Sequence, residues 1–328
     1  MSRAAVGALA AITAACSPTL DQTTSIVTGP RLLAVQATPP EAATGASFTL
    51  AALYVDANGA RDPSALDWAT CVAPKPLGQP DSVAPSCFVE SSSALVPLGT
   101  GGSVQGAMPG DACQLFGPDS PPPQVGQPSA RPVDPDSTGG FYLPVRIRTP
   151  EDAWAAARER IACTPSGVTQ PVLAAFTAGY QPNANPVLAA LSVANADGSL
   201  APLAPDGTPG AAPFAVPAGA RIVLRAEWPA CPSDPTAPGG CGGAESYVLV
   251  DPTSHQIGAA RESIVASFYA TAGAFDVDRA GRDTDDAATT VDDGWTPPSS
   301  AGEAHLWIVL RDARGGVGWS SYTLEIGP

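Results

Sequence analysis

Residues 303–326, EAHLWIVLRDARGGVGWSSYTLEI, decide the fold class. Leu306, Ile308 and Leu310 alternate onto one face, the period-two pattern of a strand with one side buried. Tyr322, Leu324 and Ile326 repeat the pattern on a returning strand. Arg314, Gly315 and Gly316 supply the turn between them, where glycine takes positive φ without steric cost. A three-residue loop there would pair Ile308 with Tyr322 and set both apolar rows against a core. The opposite face carries His305, Trp307, Arg311 and Trp319. Trp307, Arg311 and Trp319 form a candidate ligand face, suited to stacking a sugar or docking a partner. The competing reading is burial under a loop or under another part of the chain, since tryptophan is usually well covered.

Working outward from this hairpin, short strand-like runs recur between Gly/Pro turns. They include RLLAVQA (31–37), SFTLAALYV (47–55), LDWATCV (66–72), FVESSSALVPL (88–98) and FYLPVRI (141–147). Asp56-Ala57-Asn58-Gly59 closes the second run with an Asn-Gly turn signal. Pro144 predicts an edge strand or a bulge for the last of them, because proline gives no N–H to a ladder. After Thr149-Pro150, AWAAARERI reads as a helix of a few turns with Thr149 as N-cap. Its rival is a loop followed by a strand ERIAC through Cys163, and PVLAAFTAGY (171–180) is ambiguous in the same way. The polar, turn-rich segment 181–186 divides the chain. Beyond it, PVLAALSVANADGS echoes RLLAVQA, and PAGARIVLRAEW echoes TGASFTLAALYV. The expectation is mainly β: two tandem antiparallel sandwiches over 31–182 and 187–328, with little helix and a Pro-rich insert near 117–140 in the first.

Composition narrows the function. Lys+Arg number 16 against Asp+Glu 31, a formal net charge of −15 in 328 residues. Such a chain is repelled by phosphate backbones, which excludes nucleic acid as a partner. No Gly-rich phosphate loop, G-x-S-x-G elbow or H-E-x-x-H pair occurs. The two histidines, His255 and His305, stand outside any catalytic motif and read as structural or solvated.

At the start, Met1-Ser2-Arg3 and an apolar run from 4 to 15 have the form of a secretory signal. The run exits through Thr13-Ala14-Ala15-Cys16, which resembles the lipobox of bacterial lipoproteins. The resemblance implies removal of residues 1–15, a diacylglycerol on Cys16, a membrane partner through that anchor, and a tether over 16–30. Ser17, in place of the Asp that holds such lipoproteins at the inner membrane, implies the outer membrane. The strand pattern is likewise similar to immunoglobulin-like domains of bacterial surfaces, although the Cys-Trp-Cys order of antibody domains is absent.

With Cys16 lipidated, six cysteines remain, an even set that reads as three disulfides in an exported chain. Zinc has little to draw on, with two histidines and no C-x-x-C. Cys231 and Cys241 are bridged across PSDPTAPGG, which forms neither helix nor strand. Cys71, Cys87, Cys113 and Cys163 admit three pairings. Cys71 with Cys163 and Cys87 with Cys113 is favoured, the first stapling two core strands.

The loop from Phe275 to Trp295 holds Asp276, Asp278, Asp283, Asp285, Asp286, Asp292 and Asp293. Asp276, Asp278, Asp283 and Asp285 are candidate ligands for a weakly held calcium ion, a hard cation that takes carboxylate oxygens. Arg279 and Arg282 oppose this by occupying those oxygens, and a hydrated acidic loop is the favoured reading. No other cofactor is expected. The sequence therefore points to a non-catalytic structural or binding protein of the cell envelope, with an envelope protein or glycan as partner. Its rivals are a carbohydrate-active hydrolase using loop carboxylates and a subunit of a secretion or adhesion assembly.

Overall fold

A computed structural model describes residues 24–73, 83–119, 140–251 and 253–328. Residues 1–15, Cys16 and most of the Pro-rich insert lie outside the described residues. The chain is mainly β, with strand over 46% and helix over 7% of it.

The first sandwich uses strands β1 (Arg31–Thr38), β2 (Glu41–Ala43), β3 (Ser47–Asp56), β4 (Gly59–Ala60), β5 (Asp67–Cys71), β6 (Leu95–Thr100), β7 (Ser103–Ala107), β8 (Phe141–Arg148) and β9 (Trp154–Ala162). One sheet runs β1-β3-β4 with β7 also on β3, and the other runs β2-β9-β8-β5-β6. Pro39 and Pro40 end β1, since neither can donate to a ladder, and the chain crosses to the second sheet as β2. There β2 lies parallel to β9. Phe48, Leu50, Trp68, Leu143 and Ile147 fill the space between the sheets.

After α1 (Ala112–Leu115), in the first sandwich, and α2 (Gln170–Gly179), in the linker, the second sandwich repeats the scheme. Its strands are β10 (Ala190–Ala194), β11 (Leu200–Pro202), β12 (Phe214–Pro217), β13 (Ile222–Glu227), β14 (Ser246–Val250), β15 (Ile257–Arg261), β16 (Ile264–Ala270), β17 (Ala274–Phe275), β18 (Arg279–Arg282), β19 (Thr290–Thr296), β20 (Gly302–Asp312) and β21 (Val317–Gly327). Its sheets run β11-β10-β13-β19-β17 and β12-β21-β20-β16-β18. Here too an early strand, β12, lies parallel to the last strand, β21. The two stretches that echo one another in sequence occupy equivalent places, as β1 and β10 and as β3 and β13. The added hairpin β14-β15 packs on α2 through Val172, Phe176, Val248 and Val250.

Several expectations are corrected. The final hairpin pairs Leu306 with Tyr322 and Ile308 with Ser320, two residues from the expected register. The cause is the turn. Asp312 Oδ1 accepts the N–H groups of Arg314 and Gly316, each at 2.8 Å, which closes the turn on Asp312 and ends the ladder at Arg311 and Val317. An even slip leaves the same side chains on the core face. AWAAARERI forms strand β9, hydrogen-bonded to β8 along its whole length, so sheet pairing overrides the helix propensity of alanine. PVLAAFTAGY is helical as α2, with Pro171 in the first turn. Pro144 sits in β8, a central strand, yet the ladder to β5 ends at Val145, so its missing donor falls where no partner is needed.

Cys231 pairs with Cys241 as expected. The other pairs are Cys71 with Cys87 and Cys113 with Cys163, against expectation. Cys71 ends β5, and Cys163 follows β9, with β8 between the two strands. Two inter-strand spacings of about 4.8 Å exceed the Cα separation that a disulfide tolerates. A 3₁₀ turn, Pro85–Phe88, instead brings Cys87 within 5.5 Å of Cys71, Cα to Cα.

Candidate binding cleft at the sandwich junction

The expected ligand face is the contact between the sandwiches. Trp307 is 1% exposed and, with Val309, packs against Val27, Leu33, Leu53 and Val55, while Trp319 is half-buried beside them. The signal in the sequence was the unbroken run LWIVL: a strand buried on one face alternates, whereas one buried on both faces does not. Arg311 Nη2 donates to the carbonyl of Leu33 at 2.7 Å, at the point where the β1–β3 register shifts between Leu32 and Ala34.

The expected tether is also shorter than 16–30 at its inner end. Ser25 and Val27 are buried, the N–H of Val27 donates to Ala270 O at 2.8 Å, and the N–H of Ala270 donates to Ser25 O at 2.9 Å. The chain is thus hydrogen-bonded to β16 of the second sandwich before it enters the first.

Beside this apolar contact lies a buried ionic network that sequence reasoning missed. Arg314, in the β20–β21 turn, is 1% exposed. Its Nη2 donates to Glu41 Oε2 at 3.1 Å, Tyr180 Oη at 3.0 Å and the carbonyl of Gln181 at 2.8 Å. Its Nη1 lies 3.5 Å from Glu262 Oε1, and its guanidinium stacks 4.6 Å from the Tyr247 ring centre. Glu41 also accepts from Tyr180 Oη at 2.5 Å and from the N–H of Asn183 at 3.0 Å, and Arg160 Nε approaches it to 3.5 Å. Both sandwiches and the linker between them therefore converge on one guanidinium. Burying such charges is tolerable only because each meets another. Burial, with Glu41 adding to it, pushes the Tyr180 phenol up to about 12. Burial and then Asp312 push Glu262 up, against the pull of Arg314.

Glu159 is different. It is fully buried on the core side of β9, opposite Leu143, and neither carboxylate oxygen has a hydrogen-bond partner. Burial, reinforced by nearby Glu41, pushes its carboxyl up to about 9, so it is protonated at neutral pH.

The stretch expected as an acidic loop, Phe275 to Trp295, folds in large part as β17, β18 and β19, and it does not gather its carboxylates. Arg221 Nε donates to Asp276 at 3.0 Å, Arg225 forks onto Asp292 with two bonds of 2.7 Å, and Arg282 meets Asp286 at 2.9 Å. Asp278 sits at φ 53°, and Asp283 and Asp285 are exposed. Among the described residues no three His, Cys, Asp or Glu side chains form a group that could hold a metal ion. Two of the neutralising arginines stand elsewhere in the chain, Arg221 just before β13 and Arg225 within it, which is why the acidic stretch alone did not reveal them. His255 is exposed in a turn, and His305 lies against Gly59 of the first sandwich with Nδ1 3.4 Å from Thr323 Oγ1.

What the junction leaves open is a cleft of about 490 Å³ between β1, β9 and the β20–β21 turn. Ala155, Ala156 and Ala157 form one wall, residues 32–35 the other, and Tyr142, Arg158 and Arg311 reach its space. That volume lies in the range of ordinary ligand pockets.

No family model matches the chain, and no curated protein matches it. Among solved structures it is similar to the adhesin InvE of Yersinia pseudotuberculosis, at 10% identity and a TM-score of 0.21, over 90% of this chain and 58% of that one. It is similar also to dimeric latent PorU of Porphyromonas gingivalis, at 9% identity and a TM-score of 0.20, over 92% and 24% of the two chains. For the α-2-macroglobulin of Escherichia coli activated by porcine elastase the values are 9%, 0.22, 92% and 22%. The chain spans less than two thirds of each of these proteins. Likeness this slight carries no statement about activity, and the fold rests on the strand pairings themselves.

Proposed function

We propose that the protein is an exported, non-catalytic scaffold or binding protein of the bacterial cell envelope, anchored by lipid at Cys16, with the outer membrane as its site. The observation that carries the scaffold reading is the junction at Arg314. A guanidinium buried among groups from both sandwiches and their linker ties the two modules together at one point, a property suited to presenting surfaces. The three disulfides support export, since such bonds persist in oxidising compartments. The TAAC exit after the apolar leader supports lipidation. Metabolic labelling with a clickable fatty acid, followed by membrane fractionation, tests the anchor. Label and outer-membrane recovery are expected for the wild type and lost in Cys16→Ala; equal labelling of the two would end the reading.

A further inference from the structure

The geometry points to the junction cleft as a docking slot for an extended, acidic peptide segment that adds as a strand to β9. This deepens the binding part of the function proposed above. Three observations carry it.

The first is an open strand edge. β8 pairs with β9 along its whole length, but on the other edge β2 covers only residues 160–162. Among the described residues no strand pairs with that edge over 155–158, and these residues line the cleft. An edge strand leaves alternate N–H and C=O groups free, a ready template for another strand. The chain itself shows the mode. Glu41–Ala43 lies parallel along β9 at residues 160–162, next to the slot but outside it.

The second is room. Ala155, Ala156 and Ala157 carry only methyl groups, and β1 across the cleft is itself an edge strand, paired to β3 alone. The added backbone therefore meets small side chains on one wall and a second strand edge on the other.

The third is charge. Arg158 and Arg311 line the cleft, and among the described residues neither forms an ion pair. Arg158 instead lies 5.7 Å from the ring centre of Tyr142, and Arg311 holds Leu33 O and contacts Ser267 Oγ at 3.5 Å. In a chain of net charge −15, most acids are free to find arginines, yet these two guanidiniums have not been neutralised. Asp312 lies at the cleft floor but is committed to the N–H groups of Arg314 and Gly316 and to Asn183. Carboxylates on the incoming strand complement the two arginines, which fork onto such groups. Main-chain hydrogen bonds would supply affinity, and the arginines would select acidic sequences.

The test pans a display library of random peptides about eight residues long, the length of one strand, against the full chain. Counter-selection uses the Arg158→Glu variant. Recovered peptides are expected to carry Asp or Glu among β-branched residues and to protect the amides of residues 155–158 from hydrogen exchange. Their affinity should fall about tenfold for Arg158→Glu and for Arg158→Gln, and for Arg158→Lys by only about threefold. N-methylation of alternate peptide amides should abolish binding. No enrichment over the counter-selection overturns the proposal. So does a peptide that binds Arg158→Glu as tightly as the wild type, or one that leaves those amides unprotected. Membrane fractionation is a separate readout, so the slot can fail while the envelope reading stands.

Discussion

The first sandwich links Cys71 to Cys87 and Cys113 to Cys163, whereas the second keeps its one disulfide, Cys231 to Cys241, in a connection outside its two sheets. Their interiors differ too. Where β21 sends Tyr322, Leu324 and Ile326 inward, the equivalent strand β9 sends Glu159, an acid without a partner. Both cores are built on aromatics, Trp228, Phe268, Trp295 and Tyr322 in the second and Phe48, Tyr54, Trp68, Phe116 and Phe141 in the first. Aromatic burial, at roughly 25 cal/mol for each Å² removed from water, therefore supports both sandwiches alike. What sets the first apart is a buried carboxyl without a hydrogen-bond partner, together with two cross-links.

The change expected to break this comparison hardest is Arg314→Met. It leaves the buried Glu262 facing no guanidinium and Glu41 only Arg160, and should cost up to about 5 kcal/mol, loosening both sandwiches together. Chemical denaturation followed by hydrogen exchange in β8 and β20 would show whether both lose protection. Loss in one sandwich alone would mean the junction does not couple them.

Next is the double change Cys113→Ser with Cys163→Ser, which opens a loop with a sequence separation of 50. In the chain-entropy model this removes about 4 kcal/mol. The loss should fall on the first sandwich, and a single melting transition in the wild type should separate into two. An unsplit transition would show that the first sandwich does not depend on its staples.

The contrast between these two predictions also marks what the sequence could disclose. Alternation made the hairpin 303–326 readable, and the ten-residue separation of Cys231 and Cys241 made that bridge readable, because both are local. Arg314 and Glu41 are separated by 273 positions, and nothing near either residue announces the other. The pairing of Cys71 with Cys87 depends on which strand lies between β5 and β9, information present only once the sheet order is known. The hairpin register failed for a nearer cause: Asp312 accepts two turn N–H groups, a competition that strand periodicity does not register. The burial of Trp307 was legible in principle, from the unbroken run LWIVL.

Glu159→Gln is the third test and sharpens the comparison. The folded-state pKa of Glu159 lies near 9, raised from an ordinary 4.5. A raised folded pKa gives stability that is complete below pH 4.5 and is lost as pH rises towards 9. Glutamine does not titrate, so the variant should gain on the wild type by about 4 kcal/mol between pH 5 and pH 8, at about 1.4 kcal/mol per unit of pH. Thermal melts at the two values decide it; a gap that does not widen with pH would mean the carboxyl finds a partner in solution.

The smallest effect belongs to the second sandwich's outer surface. Arg225→Ala breaks a forked pair with Asp292, but both side chains are more than a third exposed or close to it. The cost should stay below about 1 kcal/mol, measured by the same denaturation. A larger loss would mean that this cross-strand pair helps hold β13 against β19.

The hydrogen bonds between Ser25, Val27 and Ala270 bear on mechanics. If the N-terminus is held at a surface, a pull on the leash does not load β1 and the first sandwich in sequence order. Tension enters at β16, so the sandwich farther along the chain takes the force first. The first sandwich lies off that load path until the Ile26–Ala270 bridge, which is parallel and therefore resists sliding along its strands, has given way. The segment at residues 25–27 then acts as a strain relief, sparing β1 and the cleft beside it from the motion of whatever the leash is fixed to.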